Sequence, residues 1–185
     1  MKYIIIGGSA GSFQAVTRIL AEIPTNFPYP IIMCLHRLKH VRNGFVEALR
    51  IKSNLYVSEP KDKELIRPGH VYLAPANYHL YIETPEYFSL GVEEPVNHSR
   101  PSIDLTFISA ARTLQDNCIG ILLSGANKDG AWGMSMMKKA GATIMVQSPE
   151  ECQVKTMTTA AIKYTNVDYI FTTDQIINFL IRLTR

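Results

Sequence analysis

The hydrophobic positions of this chain form short apolar runs that alternate with longer segments of helical periodicity. The runs are rich in Ile, Leu and Val and are bounded by Gly, Pro or polar residues, which is typical of strands buried on both faces of a parallel sheet. They lie at residues 3–6, 31–35, 119–123, 143–146 and 169–171. Between them, apolar residues recur at steps of three and four, which predicts helices over 13–23, 45–51, 102–114, 131–139, 155–163 and 173–185. This alternation predicts an α/β fold with a doubly wound, mostly parallel sheet flanked by helices.

Residues 54–91 follow a different pattern. Short apolar runs alternate there with turn residues such as Arg67-Pro68-Gly69, and no helical periodicity separates them. This pattern predicts a short antiparallel excursion on the parallel sheet. The chain shows no repeat, low-complexity segment or linker, so we expect residues 1–185 to form one domain.

Composition narrows the class of protein. The chain has 185 residues, is 46% hydrophobic, and carries a net charge of +3 from 19 basic and 16 acidic residues. A charge this balanced does not indicate nucleic-acid binding. There is no apolar run of membrane-spanning length, and the chain enters a strand at once instead of a signal peptide. We therefore expect a cytoplasmic protein without membrane insertion.

The cysteines indicate neither a disulfide framework nor a metal site. Cys34, Cys118 and Cys152 are an odd number at wide spacing. Cys34 and Cys118 lie in or beside apolar runs and are expected to be buried, inert thiols. The sequence predicts no metal and no cofactor.

A glycine-rich turn, Gly7-Gly8-Ser9-Ala10-Gly11, follows the first predicted strand. Gly-x-Ser-x-Gly between a strand and a helix is the pattern of a nucleophile elbow, in which small neighbours leave the serine oxygen exposed. The helix that follows directs its N–H groups toward the same place, which suits an oxyanion. The same pattern is also met in phosphate-binding turns and in plain turns.

Three residues with complementary chemistry follow predicted strands: Ser9, His36 and Asp129. Because the carboxyl ends of parallel strands meet at one edge of a sheet, we expect these side chains to converge there. Hydroxyl, imidazole and carboxylate are the parts of a serine-hydrolase triad. The order Ser, His, Asp differs from the Ser, Asp, His order of common α/β-hydrolases and indicates another lineage. Asp129 is also well placed to cap the helix that follows it.

From about residue 3 to 163, the sequence resembles the catalytic domain of the bacterial chemotaxis protein-glutamate methylesterases. That family places its serine in a Gly-x-Ser-x-Gly turn, its histidine after the second strand and its aspartate in an Asp-Gly-Ala segment. Gly7–Gly11, His36 and Asp129–Ala131 match these motifs in order. Arg100–Asp104 (Arg-Pro-Ser-Ile-Asp) and Gly69–Pro75 resemble two further motifs of the family.

The resemblance implies an enzyme that removes methyl groups from glutamate methyl esters on the cytoplasmic helices of chemoreceptors, and that also deamidates receptor glutamines. It implies Ser9 as nucleophile, His36 as general base and Asp129 as its orienting carboxylate, with N–H groups near Ala10 and Gly11 binding the oxyanion. Family members commonly carry an N-terminal receiver domain. None is present in this sequence, so a separate response-regulator receiver is a further expected partner.

The sequence departs from the family at residues expected to line the site. Leu35 and Arg37 stand where the family usually has Gln and Met around the histidine. Ala126 and Asn127 replace the Met-Gly of a Gly-Met-Gly loop, and Met157 is followed by Thr instead of Pro. These changes bear on substrate fit, and they leave a catalytically weakened binding protein as an alternative.

Nucleotide binding and a role for the basic residues near His36 are two further hypotheses. A nucleotide-binding protein is disfavoured, since Gly-x-Gly-x-x-Gly is absent and His36-Arg37 stands where an acid would bind a ribose. The basic residues Arg37, Lys39, His40 and Arg42 either attract an acidic protein surface or form a solvated face. The remaining histidines, His70, His79 and His98, lack a paired motif and are expected to be structural, as is His40.

Overall fold

The computed structural model describes residues 1–37 and 44–184 and contains a parallel sheet of seven strands. In sheet order these are β3 (Tyr56–Ser58), β4 (His70–Leu73), β2 (Ile31–Leu35), β1 (Tyr3–Gly8), β7 (Cys118–Leu122), β8 (Thr143–Gln147) and β9 (Tyr169–Phe171). A separate two-stranded sheet pairs β5 (His79–Ile82) with β6 (Phe88–Gly91) in antiparallel register. The strand order reverses around β1, which therefore lies at the centre of the sheet.

Helices cover both faces of the large sheet. They are α1 (Phe13–Glu22), α2 (Gly44–Lys52), α3 (Ile103–Leu114), α4 (Ala131–Lys139), α5 (Thr156–Tyr164) and α6 (Thr173–Arg182). Ile4 and Ile6 of β1 belong to a core cluster with α1, α2 and α6, whereas Ile5 belongs to the opposite cluster with α3, α4, α5 and the small sheet. Successive strand residues thus supply opposite cores, which is why the strands read as continuous apolar runs. The doubly wound fold predicted from the sequence is confirmed.

The antiparallel part is narrower than the 54–91 expected. β3 and β4 are parallel members of the large sheet, with Tyr56 opposite His70. Antiparallel pairing within the described part of 54–91 is limited to β5 with β6 and an isolated bridge between Leu65 and Tyr87. The loop at residues 59–69 explains the difference, because it carries the chain from the carboxyl end of β3 back to the amino end of the sheet, where β4 begins. Because the connection between β3 and β4 contains no helix, the sequence there has no helical periodicity that would indicate parallel pairing.

Local sequence signals fix several helix ends. Ser102 accepts a hydrogen bond from Leu105 N at the start of α3, and Thr172 forms a capping box with Gln175 at the start of α6. Gly141 follows α4 with a φ of +87°, as expected for a residue that ends a helix. Among the residues described, no helix combines the length and apolarity needed to cross a membrane.

Candidate active site

The Ser9 turn is held by its backbone. Ser9 N donates to Ser124 O at 2.9 Å, and Ser9 O accepts from both Ser12 N and Ser12 Oγ, at 3.0 and 2.7 Å. Gly11 has a φ of +80°, and a Cβ there would lie 2.6 Å from Gln153 Cβ. The turn therefore requires glycine, and its backbone bonds leave the serine side chain uncommitted. With the residues that the structure describes, the Ser9 hydroxyl makes no hydrogen bond.

Two backbone N–H groups beside Ser9 make no hydrogen bond within the described residues. In residues 1–37 and 44–184, neither Ala10 N nor Gly11 N has an acceptor, and α1 begins directly afterwards at Phe13. The buried hydroxyl of Ser124 lies 2.8 Å from Ala10 O. These contacts fix the peptide groups of the turn while leaving two donors open to a negatively charged oxygen.

His36 and Asp129 are brought into contact. His36 follows β2, and its N donates to Gly8 O at 3.0 Å, which places it beside the Ser9 turn. Its Nε2 lies 2.7 Å from Asp129 Oδ2. The carboxylate is fully buried, whereas the His36 side chain is 13% exposed. Because Nε2 faces the carboxylate, Nδ1 is the ring nitrogen left for a substrate or a hydroxyl.

The Asp129 carboxylate is surrounded by donors. Its Oδ2 also accepts from Ile103 N at 2.7 Å, and its Oδ1 accepts from Asp104 N and Ser102 Oγ, both at 3.0 Å. It thus occupies the N-terminus of α3, where free N–H groups favour an anion. Burial opposes ionisation, but the hydrogen bond from His36 and the backbone donors outweigh it, so the pKa of Asp129 lies below its usual value.

A second buried carboxylate, Asp104, lies beside the first. Its Oδ1 accepts from Gly130 N at 3.0 Å and from Gly133 N at 2.7 Å, at the start of α4. The Asn97 amide bridges the two acids, since Nδ2 donates to Asp104 Oδ2 at 2.8 Å and to Asp129 Oδ1 at 3.0 Å. Burial, reinforced by the charge of Asp129 and opposed by these hydrogen bonds, raises the pKa of Asp104 to about 6.

His79 supports the same corner of the molecule from β5. It is fully buried; Ser102 N donates to its Nδ1 at 3.2 Å, and its Nε2 lies 3.1 Å from Glu94 O. The backbone donor fixes the tautomer, with the proton on Nε2. Sequence reasoning placed Ser102 as a helix cap, and it is one, but missed the surroundings of Asp129. The Arg100–Asp104 motif was the signal that could have revealed Asp104, whereas Asn97 had none.

Arg37 does not belong to a free basic surface. Its side chain is 3% exposed, with Nη2 2.5 Å from Glu59 Oε1 and 2.7 Å from Ala74 O, and its guanidinium lies over the Phe45 ring. The idea of a basic cluster attracting an acidic surface is wrong for this residue, because Glu59 already neutralises it. Lys39, His40 and Arg42 lie outside the described residues.

The other departures from the family pattern lie close to the site. Leu35 is buried at the end of β2, and Ala126 is exposed in the loop before Asp129. Asn127 Oδ1 accepts from Asp129 N at 3.0 Å. Asn127 therefore supports the turn that leads into Asp129.

A serine on a glycine-rich turn, with a histidine–aspartate pair at the same sheet edge, provides the parts of a serine hydrolase in a doubly wound α/β protein. The comparison with known families agrees with this class: residues 4–180 match the model of the CheB methylesterase family. The chain belongs to that family, as the motifs of its sequence indicated.

Individual relatives cover the chain to different extents. A relative from Leptospira interrogans is 40% identical over 180 residues, which are 97% of this chain and 93% of that protein. A relative from Thermotoga maritima, named protein-glutamate methylesterase/protein-glutamine glutaminase, is 32% identical and matches 98% of this chain but 54% of its own length. The Leptospira protein bears the same name provisionally. The crystal structure of the Thermotoga maritima CheB methylesterase catalytic domain superposes with a TM-score of 0.92 at 31% identity, covering 98% of both chains.

Proposed function

We propose that this protein is a serine hydrolase that removes methyl groups from glutamate methyl esters of chemoreceptor helices. The observation that carries the proposal is the 2.7 Å contact between the buried Asp129 carboxylate and His36 Nε2, with His36 N bonded to Gly8 O beside Ser9. The relatives named protein-glutamate methylesterase support the choice of ester. Residues 1–185 act in this proposal as one catalytic domain.

Each member of the proposed triad has a defined part in the reaction. Ser9 Oγ attacks the ester carbonyl while His36 Nδ1 takes its proton, and the Ala10 and Gly11 N–H groups bind the resulting oxyanion. His36 then protonates the departing methoxide, which leaves as methanol. Water attacks the glutamyl–serine ester by the same route in reverse, giving the glutamate carboxylate and free Ser9. Asp129 holds the ring by Nε2 and stabilises its charged form throughout.

The same chemistry extends to glutamine side chains. An amide carbonyl meets the same nucleophile and oxyanion donors, and ammonia replaces methanol as the leaving group. The second half of the relatives' name, protein-glutamine glutaminase, supports this activity. Receptor helices on the cytoplasmic side of the membrane are the proposed partners, together with a separate response-regulator receiver.

The test compares methanol release from methyl-labelled receptor membranes of the source organism by three proteins. The wild type should release methanol, and Ser9→Ala should lose at least about 10⁴-fold in rate. The matched control is Ser148→Ala, just after the carboxyl end of β8, two strands from β1; its hydroxyl has no hydrogen-bond partner among the residues described. This variant should keep the wild-type rate. A folded wild type that releases no methanol would favour the binding-only alternative, and full activity in Ser9→Ala would exclude the mechanism.

A further inference from the structure

Within the described residues, Asp104 and Asn97 make no hydrogen bond to the proposed triad except to Asp129, and both help to hold that residue. Asp104 is 4% exposed, and Gly130 N, one of its donors, belongs to the peptide group that links Asp129 to Gly130. Asp104 therefore fixes the backbone of Asp129 from one side. Through the Asn97 amide it also fixes the side chain from the other.

The two acids exchange helix ends. Asp129, two residues before α4, accepts from the first N–H groups of α3, whereas Asp104, in the first turn of α3, accepts from Gly130 N and Gly133 N at the start of α4. The helices approach closely where this exchange occurs: a Cβ at Gly133 would lie 2.6 Å from Phe107 Cβ and 3.1 Å from the Asp104 backbone. Neither carboxylate can shift alone without losing donors on the partner helix.

The Asn97 amide has one hydrogen for each acid. Its Nδ2 donates to Asp104 and to Asp129 at once, and Asn97 adopts a φ of +51°, in the left-handed region. Asparagine is one of the few residues besides glycine that adopt this conformation readily. If Asp104 did not engage one hydrogen, the amide would be free to turn and Oδ1 of Asp129 would lose a donor.

From this arrangement, and resting on the function proposed above, we propose that Asp104 is a positioning residue for catalysis. Acting through Asn97 and the first turn of α4, it keeps the Asp129 carboxylate in contact with His36 Nε2. Without this support the Asp129 carboxylate would no longer be held against His36 Nε2, and the imidazole would lose its fixed orientation.

The test uses Asp104→Asn and Asn97→Ala with a matched control. Asp168→Asn removes a carboxylate that likewise accepts from a backbone N–H, Ile144 N at 2.9 Å, and pairs with Lys138, but at the opposite edge of the sheet. Both oxygens of Asp104 accept hydrogen bonds, from Asn97 on one side and from Gly130 N and Gly133 N on the other. In Asp104→Asn the new NH₂ group therefore faces a donor in either orientation of the amide. Its kcat for methanol release should fall about 10- to 100-fold, the loss typical of residues that orient a metal-binding side chain through a hydrogen bond. Its KM should stay within about twofold of the wild type. Asp168→Asn should lose stability while keeping its kcat.

A second measurement is independent of substrate. The proton between His36 Nε2 and Asp129 should give a far-downfield NMR signal, identified by its loss in His36→Gln. Asp104→Asn and Asn97→Ala should shift or broaden it, and Asp168→Asn should not. An unchanged signal, or a kcat loss no larger than that of the control, would overturn the proposal. Because the signal needs no turnover, an inactive wild type would refute the proposed function alone; Asn97→Ala, at a more exposed position, serves if Asp104→Asn fails to fold.

Discussion

The two halves of the candidate site are built in opposite ways. At the Ser9 turn the backbone makes the hydrogen bonds, and the Ser9 side chain makes none with the described residues. At Asp129 the side chain is the hub, buried and bonded to two helix-terminal N–H groups, a hydroxyl, an amide and an imidazole. A nucleophile has to move toward a substrate, whereas an orienting carboxylate must stay in place, so this difference fits the roles proposed for Ser9 and Asp129.

The largest expected difference between the Ser9 turn and the Asp129 cluster is in how substitutions there change the free energy of unfolding. Asp129→Asn should lower kcat about 10⁴-fold, because the ring loses its anionic partner, and should also cost about 2–4 kcal/mol in the free energy of unfolding, because buried donors lose their acceptor. Ser9→Ala should lower kcat as strongly but change the free energy of unfolding by less than about 0.5 kcal/mol. Denaturant titrations of both variants check this; equal stabilities would contradict the contrast.

The pH dependence of stability should distinguish the two buried acids. The pKa of Asp129 is lowered, so its contribution is present above its ordinary value and is lost as the pH falls through the folded-state value. The pKa of Asp104 is raised from 3.8 to about 6, so its contribution is full below 3.8 and is lost as the pH rises through about 6. The stability cost of Asp104→Asn should therefore shrink between about pH 4 and pH 7, while that of Asp129→Asn should not.

Unfolding titrations at intervals across this range measure both costs against the wild type. If the cost of Asp104→Asn stayed constant, burial and the neighbouring charge would not be penalising the ionised form of Asp104.

The smallest effect concerns the support beneath the Ser9 turn. Ser124→Ala removes a buried hydroxyl that lies 2.8 Å from Ala10 O and accepts from Val154 N at 3.0 Å. We expect a loss of about 1–2 kcal/mol in the free energy of unfolding, from the unpaired backbone groups. The kcat should fall less than about tenfold, because Ser9 N still bonds to Ser124 O. A loss as large as that of Ser9→Ala would mean that the turn depends on this hydroxyl.

The parts of the fold that the sequence could predict are those set by local periodicity. Apolar runs located β1, β2, β8 and β9 closely, and Ser102 and Gly141 marked the ends of helices because capping depends on a few adjacent residues. The pairing of β3 with β4 depends on whether the loop between them returns the chain to the amino end of β3, and this loop has no periodicity that indicates its course. Short strand segments are equally compatible with parallel and antiparallel pairing, so only the three-dimensional structure could decide.

The candidate site divides in the same way. Ser9, His36 and Asp129 could be nominated because each follows a strand, and parallel strands bring such positions to one edge. Asn97 and His79 could not, because their roles arise from contacts with Asp129 and Ser102 across 32 and 23 residues of chain. For a polar residue in a loop or a single histidine in a strand, the sequence has no spacing pattern from which a distant hydrogen-bond partner could be predicted.

The exchange of helix ends between Asp104 and Asp129 has a consequence during protein synthesis. A nascent chain that has completed β1, β2 and α3 already contains Ser9 and His36, but the carboxylate that would orient the imidazole lies 93 residues beyond His36. The start of α3 also lacks its anion until then, so this helix end should remain loosely docked until α4 emerges. We therefore expect the candidate site to be completed late, when the two helices meet.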